Sequence, residues 1–214
     1  MDKAAELKKL EAEIAADRSL PLQESNLVFG EGNLDCAVMF IGEAPGANED
    51  RLKRPFVGRG GQLLDQLIGS IGWKRGDVYI SNIVKRRPPE NRDPLPSEIA
   101  AYKPYLTRQI EIINPRVVVT LGRFSMNYFL PDAKMTRDHG RVFSIEGRLV
   151  YPVYHPAAAL RSTEMMNVFR EDMQKLPNVV SGKLTVEVPA AIANLPEAKA
   201  APKKPEKPKQ QGLF

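Results

Sequence analysis

One cysteine, Cys36, serves the whole of this 214-residue chain. No internal disulfide can form, and with only His139 and His155 beside it a Cys/His zinc site cannot be assembled. Cys36 is expected to be a small core residue of the first strand. No run approaches the ~18 apolar residues that a spanning helix requires, so a membrane protein of that kind is excluded. The first residues, Met1-Asp2-Lys3-Ala4-Ala5-Glu6, carry no apolar core of a signal peptide, and a cytoplasmic protein is expected. There is no internal repeat.

What is present is ordinary for one well-buried domain: 43% hydrophobic and 27% charged residues. The formal net charge of +5 suggests a polyanionic partner, but it is unevenly spread. Between Glu197 and Lys209 five lysines stand against two glutamates, so +3 of it belongs to that stretch and the rest of the chain is nearly neutral. Two local clusters remain, Lys85-Arg86-Arg87 with Arg92, and Arg51-Leu52-Lys53-Arg54 with Arg59. A basic rim in two loops fits nucleic acid better than bulk charge does.

Four short segments read as parallel strands, each running into polar, Gly- or Pro-bearing residues. They are Cys36 to Ile41 into Gly42-Glu43-Ala44-Pro45-Gly46, Val78 to Ile80 into Ser81-Asn82, Val117 to Leu121 into Gly122-Arg123, and Val150 to Val153 into Tyr154-His155-Pro156. Leu7, Leu10 and Ile14 mark an amphipathic helix over residues 4–16, and a Gly-rich turn at Gly60-Gly61 opens another carrying Leu64, Leu67 and Ile68. A longer helix begins at Pro96-Ser97-Glu98, carries Ile99, Tyr102, Leu106, Ile110 and Ile113, and stops at Asn114-Pro115. Alternating strands and helices imply a three-layer α/β/α fold around a four-stranded, mainly parallel central sheet. In such a sheet a ligand sits beyond the carboxyl ends of the strands, so Glu43, Asn82 and His155 are expected to share one crevice. Residues 1–188 form this domain. Residues 189–209, rich in Ala, Pro and Lys, read as a disordered linker, and 210–214 as a separate short peptide.

Several of these segments together resemble a known family. Gly42-Glu43-Ala44-Pro45-Gly46 with Glu49-Asp50, Pro55-Phe56-Val57-Gly58-Arg59, Asn82-Ile83-Val84-Lys85, Arg87-Pro88-Pro89, Asn91-Arg92-Asp93-Pro94, and His155-Pro156-Ala157 with Leu160-Arg161 are similar to the motifs of a family-four uracil-DNA glycosylase, in the same order, from about Leu10 to about Leu176. Members of that family hold an iron–sulfur cluster on four cysteines. By the family's landmarks those positions are Asp17, Leu20, Arg86 and Tyr102 here, none of which supplies a thiolate, so a protein without cluster, metal or other cofactor is expected. Converging side chains would then leave Asp17 paired with Arg86, and Leu20 packed on Tyr102.

The resemblance implies uracil excision from DNA by a flipped-base mechanism. Breaking the bond to uracil N1 gathers negative charge on the base, and His155 would donate to uracil O2; the alternative is a histidine that only caps the turn before Pro156. Asn82 offers one donor and one acceptor, matching uracil O4 and N3–H and mismatching cytosine; its alternative is a turn-forming asparagine. Phe56 would stack on the base, or would be plain core. Gly42 and Ala44 belong to the same base pocket. Glu43 would orient the water, stabilise the sugar cation or crowd uracil C5. Ala44 stands where related enzymes place an aspartate, so catalysis leans on the leaving group.

Leu160 and Arg161 would enter the groove to fill the vacated stack, unless Leu160 is core. Gly60 and Gly61, at a helix start, suit a phosphate, as do Arg87 and Arg92, for which a solvated charge run is the competing reading. Gln210, Leu213 and Phe214 resemble a peptide that docks on a replication sliding clamp. The expected partners are therefore uracil-containing DNA, single- or double-stranded, and a clamp, with the protein a monomer. The rival is a weak or inactive uracil or abasic-site binding module recruited by the tail. Covalent capture by a loop histidine is disfavoured because Glu90-Asn91-Arg92 contains none.

Overall fold

A computed structural model describes residues 2–187. Its centre is four parallel strands, β2 (Val38–Gly42), β3 (Tyr79–Asn82), β4 (Val117–Leu121) and β6 (Arg148–Val153), in the spatial order β3-β2-β4-β6. Three short strands absent from the sequence reading extend the sheet to seven: β1 (Glu31–Gly32) antiparallel to β3, β5 (Val142–Ile145) antiparallel to β6, and β7 (Val186–Glu187) parallel to β5. The two-residue edges β1 and β7 carry too little periodicity to be read from a sequence.

The central strands are buried on both faces, which is why they read as continuous apolar runs. Side chains alternate across the sheet. Val38 and Phe40 enter one core with α3 (Arg59–Ser70) and α8 (Thr163–Val180); Met39 and Ile41 enter the other with α1 (Lys3–Ala16) and α4 (Pro96–Ile113). The result is the expected three-layer arrangement. Helix α4 ends where Asn114 takes a left-handed φ of 51°, just before Pro115. Cys36 is buried as expected but lies two residues before β2 instead of within the strand, and burial pushes its thiol pKa up. Among the described residues no helix is long and apolar enough to cross a membrane.

The chain leaves β2 for β3 on one side and later places β4 on the other, so the strand order reverses around β2. Loops on either side of such a reversal diverge and leave a crevice at the carboxyl ends. The loops after Gly42, Asn82 and Val153 supply its lining, and Gly122, after β4, packs against His155.

Candidate active site

The crevice is a cavity of about 500 Å³ lined by Glu43, Ala44, Phe56, Asn82, His155 and Arg161 among others. Residues more than a hundred positions apart in sequence are thus brought to one place. Phe56 and His155 face each other with ring centroids 5.9 Å apart and planes at 36°. Asn82 is buried, and its Oδ1 has no hydrogen-bond partner. A buried, orphaned acceptor at a cavity wall is costly unless a ligand supplies the donor.

His155 caps α7 (Pro156–Ala159), its Nδ1 accepting the main-chain N–H of Ala157 at 3.1 Å. Nδ1 is therefore the unprotonated nitrogen of the neutral ring, and the proton sits on Nε2. Burial first, and the Arg161 cation second, lower the His155 pKa to about 4, against a smaller opposing effect of Glu49, so the ring is neutral near pH 7. Gly122, at φ 90°, makes room for it: a Cβ there would stand 2.8 Å from His155 Cβ.

Phe56 lies in the left-handed region, φ 51°, unusual for an aromatic residue. Its loop is held on two sides. Glu49 Oε1 accepts the N–H groups of Val57 at 2.9 Å and Gly58 at 2.7 Å. From behind, Arg75 donates to the carbonyls of Pro55 at 2.6 Å and Phe56 at 3.3 Å while paired with Glu31 and Asp65. Gly42 lies beneath the pair it separates, since a Cβ on it would come within 2.5 Å of both Asn82 Oδ1 and Phe56 Cζ. Glu43 has its pKa raised to about 7, chiefly by burial and then by Asp93, with Arg123 pulling it down.

The sequence profile of the uracil DNA glycosylase superfamily matches residues 29–176. The chain belongs to that superfamily. The type-4 uracil-DNA glycosylase of Saccharolobus solfataricus is 49% identical over 168 residues, covering 74% of this chain and 78% of that protein. That of Sulfurisphaera tokodaii is 42% identical over 184 residues, 79% of this chain and 83% of that one. That of Thermotoga maritima is 45% identical over 166 residues, with 75% and 86% covered.

Set against this superfamily's motifs, the residues singled out from sequence divide into groups. Glu43, Ala44, Phe56, Gly60, Gly61, Asn82, Arg92, His155 and Arg161 line the crevice. Gly42 supports its floor instead of lining it. Leu160, at the end of α7, is exposed, so the core reading of it is set aside. Arg92 is engaged with Glu98 at 2.6 Å, and Arg87 Nε donates to Asn91 Oδ1 at 2.7 Å, which fixes both on the loop after β3. The basic rim is smaller than expected: Lys85 and Arg86 are buried, and Arg54 is paired with Glu31 at 2.7 Å. Gln210, Leu213 and Phe214 lie outside the described residues.

The four positions that hold cysteines in the family do not fit an iron–sulfur cluster. Leu20 and Tyr102 share one apolar core, Tyr102 hydroxyl donating to the Pro21 carbonyl at 2.9 Å. The expected Asp17–Arg86 ion pair does not form. Asp17 accepts instead from Ser19 N–H at 2.9 Å, from Ser19 Oγ at 2.6 Å and from the Tyr105 hydroxyl, while Arg86 donates to the Ser25 carbonyl. Asp17 ends α1 and meets the Ser19 and Tyr105 hydroxyls within reach, which satisfies its carboxylate locally.

Sequence reading overlooked Arg75, which contributes no motif, and Gln109, and it took Lys85 for a rim cation where the structure buries it. Gln109 lies beside Ile110 on the buried side of α4, where an apolar pattern gave no sign of a polar residue.

Proposed function

We propose that this chain is a monofunctional uracil-DNA glycosylase of the type-4 kind, which turns uracil out of DNA, hydrolyses its N-glycosidic bond and leaves an abasic site. The observation that carries the reading is the orphaned Oδ1 of Asn82 in the same cavity as a His155 ring whose proton is fixed on Nε2. An acceptor and a donor so held suit the N3–H and O2 of uracil.

The placement of the side chains supports the following roles. Phe56 stacks on the extruded base. Asn82 accepts from N3–H and donates to O4, which a cytosine cannot satisfy, since it presents an unprotonated N3 and an amino group. His155 donates from Nε2 to O2, where negative charge develops as the bond breaks, and the neutral ring does so without surrendering its proton. Glu43 acts as a carboxylate on the sugar side, favouring the cationic sugar and the incoming water. Leu160 fills the gap in the stack, and Arg161, Arg87 and Arg92 meet phosphates. The enzyme works as a monomer without an iron–sulfur cluster, in the cytoplasm, and the peptide 210–214, with Gln210, Leu213 and Phe214, tethers it to a sliding clamp through the 189–209 linker.

Purified protein on single- and double-stranded oligonucleotides with one uracil, followed by alkaline cleavage, tests the reading. Excision is expected, reduced roughly a hundredfold or more in Asn82→Ala and His155→Ala. A wild-type protein that binds uracil-DNA but leaves no alkali-labile site would establish the binding-module alternative instead. Unchanged excision in both variants would refute the residue roles.

A further inference from the structure

Lys85 is fully buried, three residues past Asn82, and its ammonium nitrogen meets three groups: Ser81 Oγ at 2.7 Å, the Asn82 carbonyl at 2.8 Å and Gln109 Oε1 at 2.6 Å. The hydrogen count at this point is fixed by the neighbours. Ser81 turns its own hydrogen away, toward the Phe29 carbonyl at 2.9 Å or Gln109 Oε1 at 3.2 Å. The Gln109 amide nitrogen faces the Phe29 carbonyl at 3.1 Å and the Tyr79 hydroxyl at 3.2 Å, so its oxygen is the end that faces Lys85. A backbone carbonyl only accepts. Three acceptors with no hydrogen to give require three N–H donors, and only the charged form of lysine has three.

None of the three partners is an anion. A buried cation whose hydrogen bonds all go to neutral groups is poorly compensated, and a charge in that state is favoured by any negative charge arriving nearby. The main-chain carbonyl it grips belongs to the residue whose side-chain amide carries the orphaned acceptor in the cavity. When a base departs as an anion in that cavity, the missing countercharge appears in the transition state and not in the ground state, which is the condition for faster chemistry.

We infer that Lys85 is a positioning residue for glycosidic cleavage: it fixes the main chain of Asn82 against the base and places a buried positive charge behind the pocket that favours the departing uracil anion. This rests on the uracil-excising reading given above and adds a residue to it. Burial alone lowers the Lys85 pKa to about 7, and the three acceptors favour the ammonium against that.

The test uses single-turnover excision by the full chain at about pH 6, comparing wild type with Lys85→Met on DNA carrying uracil or 5-fluorouracil. The fluorinated base leaves as a more stable anion and needs less help. Lys85→Met is expected to slow uracil release roughly tenfold to a hundredfold with little change in DNA affinity, and to slow 5-fluorouracil release distinctly less. An equal loss on both bases, or no loss, would overturn the inference, because a merely structural defect does not sense the leaving group. Wild type that releases neither base would overturn the functional reading itself, a distinguishable failure. Should the variant not fold, the 13Cε shift of Lys85 in the wild-type protein decides: a charged ammonium at about pH 6 is expected, and a neutral amine there would overturn the inference.

Discussion

The carbonyl oxygen of Phe56 presses on Gly61, so that a Cβ at position 61 would stand 1.8 Å from it. No rotamer relieves a clash between Cβ and a backbone oxygen. Gly61→Ala is therefore expected to push the 55–57 loop outward and lower uracil excision by roughly a hundredfold, because the ring that faces His155 moves with it. Excision rates on a uracil oligonucleotide, beside circular dichroism to confirm an intact fold, check this; a variant as active as wild type would mean that the position of Phe56 does not matter.

Arg75 presents a second route to the same loop. All five of its N–H groups are used, on Glu31 twice, Asp65, Pro55 and Phe56. It does not line the crevice, so its effect must pass through the loop. Arg75→Lys, which cannot reproduce the planar fork, is expected to slow excision roughly tenfold. In a Phe56→Ala background the same substitution should add little, and additive losses would argue that Arg75 acts elsewhere.

The parts legible in the sequence were those that repeat a physical rule along the chain. Buried parallel strands read as apolar runs ending in polar turns, so β2, β3, β4 and β6 and the convergence of Glu43, Asn82 and His155 followed directly. The dimensions that escaped were set by tertiary partners. Lys85 and Arg86 sit in a basic run with Arg87, and nothing local distinguishes the two that are buried from the one that is not; only Ser81, Gln109 and Ser25, each from another stretch of chain or the far side of a strand, decide it. Likewise Asp17 and Arg86 converge by family landmark, yet Ser19 and Tyr105 reach the carboxylate first.

Glu43 gives a stability signature of known sign. Its folded pKa is about 7 against an ordinary 4.5, so the native state holds the proton more tightly. That contribution is full below the ordinary value and is lost as pH rises through about 7. Replacing Glu43 by Gln should therefore leave stability near wild type at about pH 4.5 and raise it at about pH 8, by on the order of 1–2 kcal/mol after discounting for partial solvation. Urea unfolding at the two pH values measures the difference. If the carboxylate also serves the sugar side, wild-type excision rises with pH from about 5 toward 7 and the Gln variant is slower and lacks that rise.

Deleting residues 210–214 separates tethering from chemistry. Loss of clamp association in a pull-down or titration is expected, with excision on naked oligonucleotides unchanged. Loss of excision with unchanged clamp affinity would contradict both assignments.

The capped imidazole of His155 makes the sharpest prediction about acid. Because Nδ1 accepts from Ala157 and burial holds the pKa near 4, the neutral Nε2–H form is the one the folded protein holds throughout the neutral range. A histidine acting as an imidazolium acid would instead show activity rising as pH falls past its ordinary 6.5. In the Glu43→Gln background, which removes the carboxyl titration, and below about pH 6, where Lys85 keeps its charge, the excision rate should stay level down to about pH 5 and change only as pH approaches 4. The linkage runs the same way: the unfolded chain binds the proton at higher pH than the native state does, so stability from this residue is lost as pH falls from 6.5 through 4. His155→Gln retains a side-chain donor but has no ring nitrogen to accept from Ala157 in the same geometry. It should keep part of the excision activity that His155→Ala loses, and it should remove that acid-side loss of stability. Equal activity of the Gln and Ala variants would show that O2 receives no hydrogen bond from position 155.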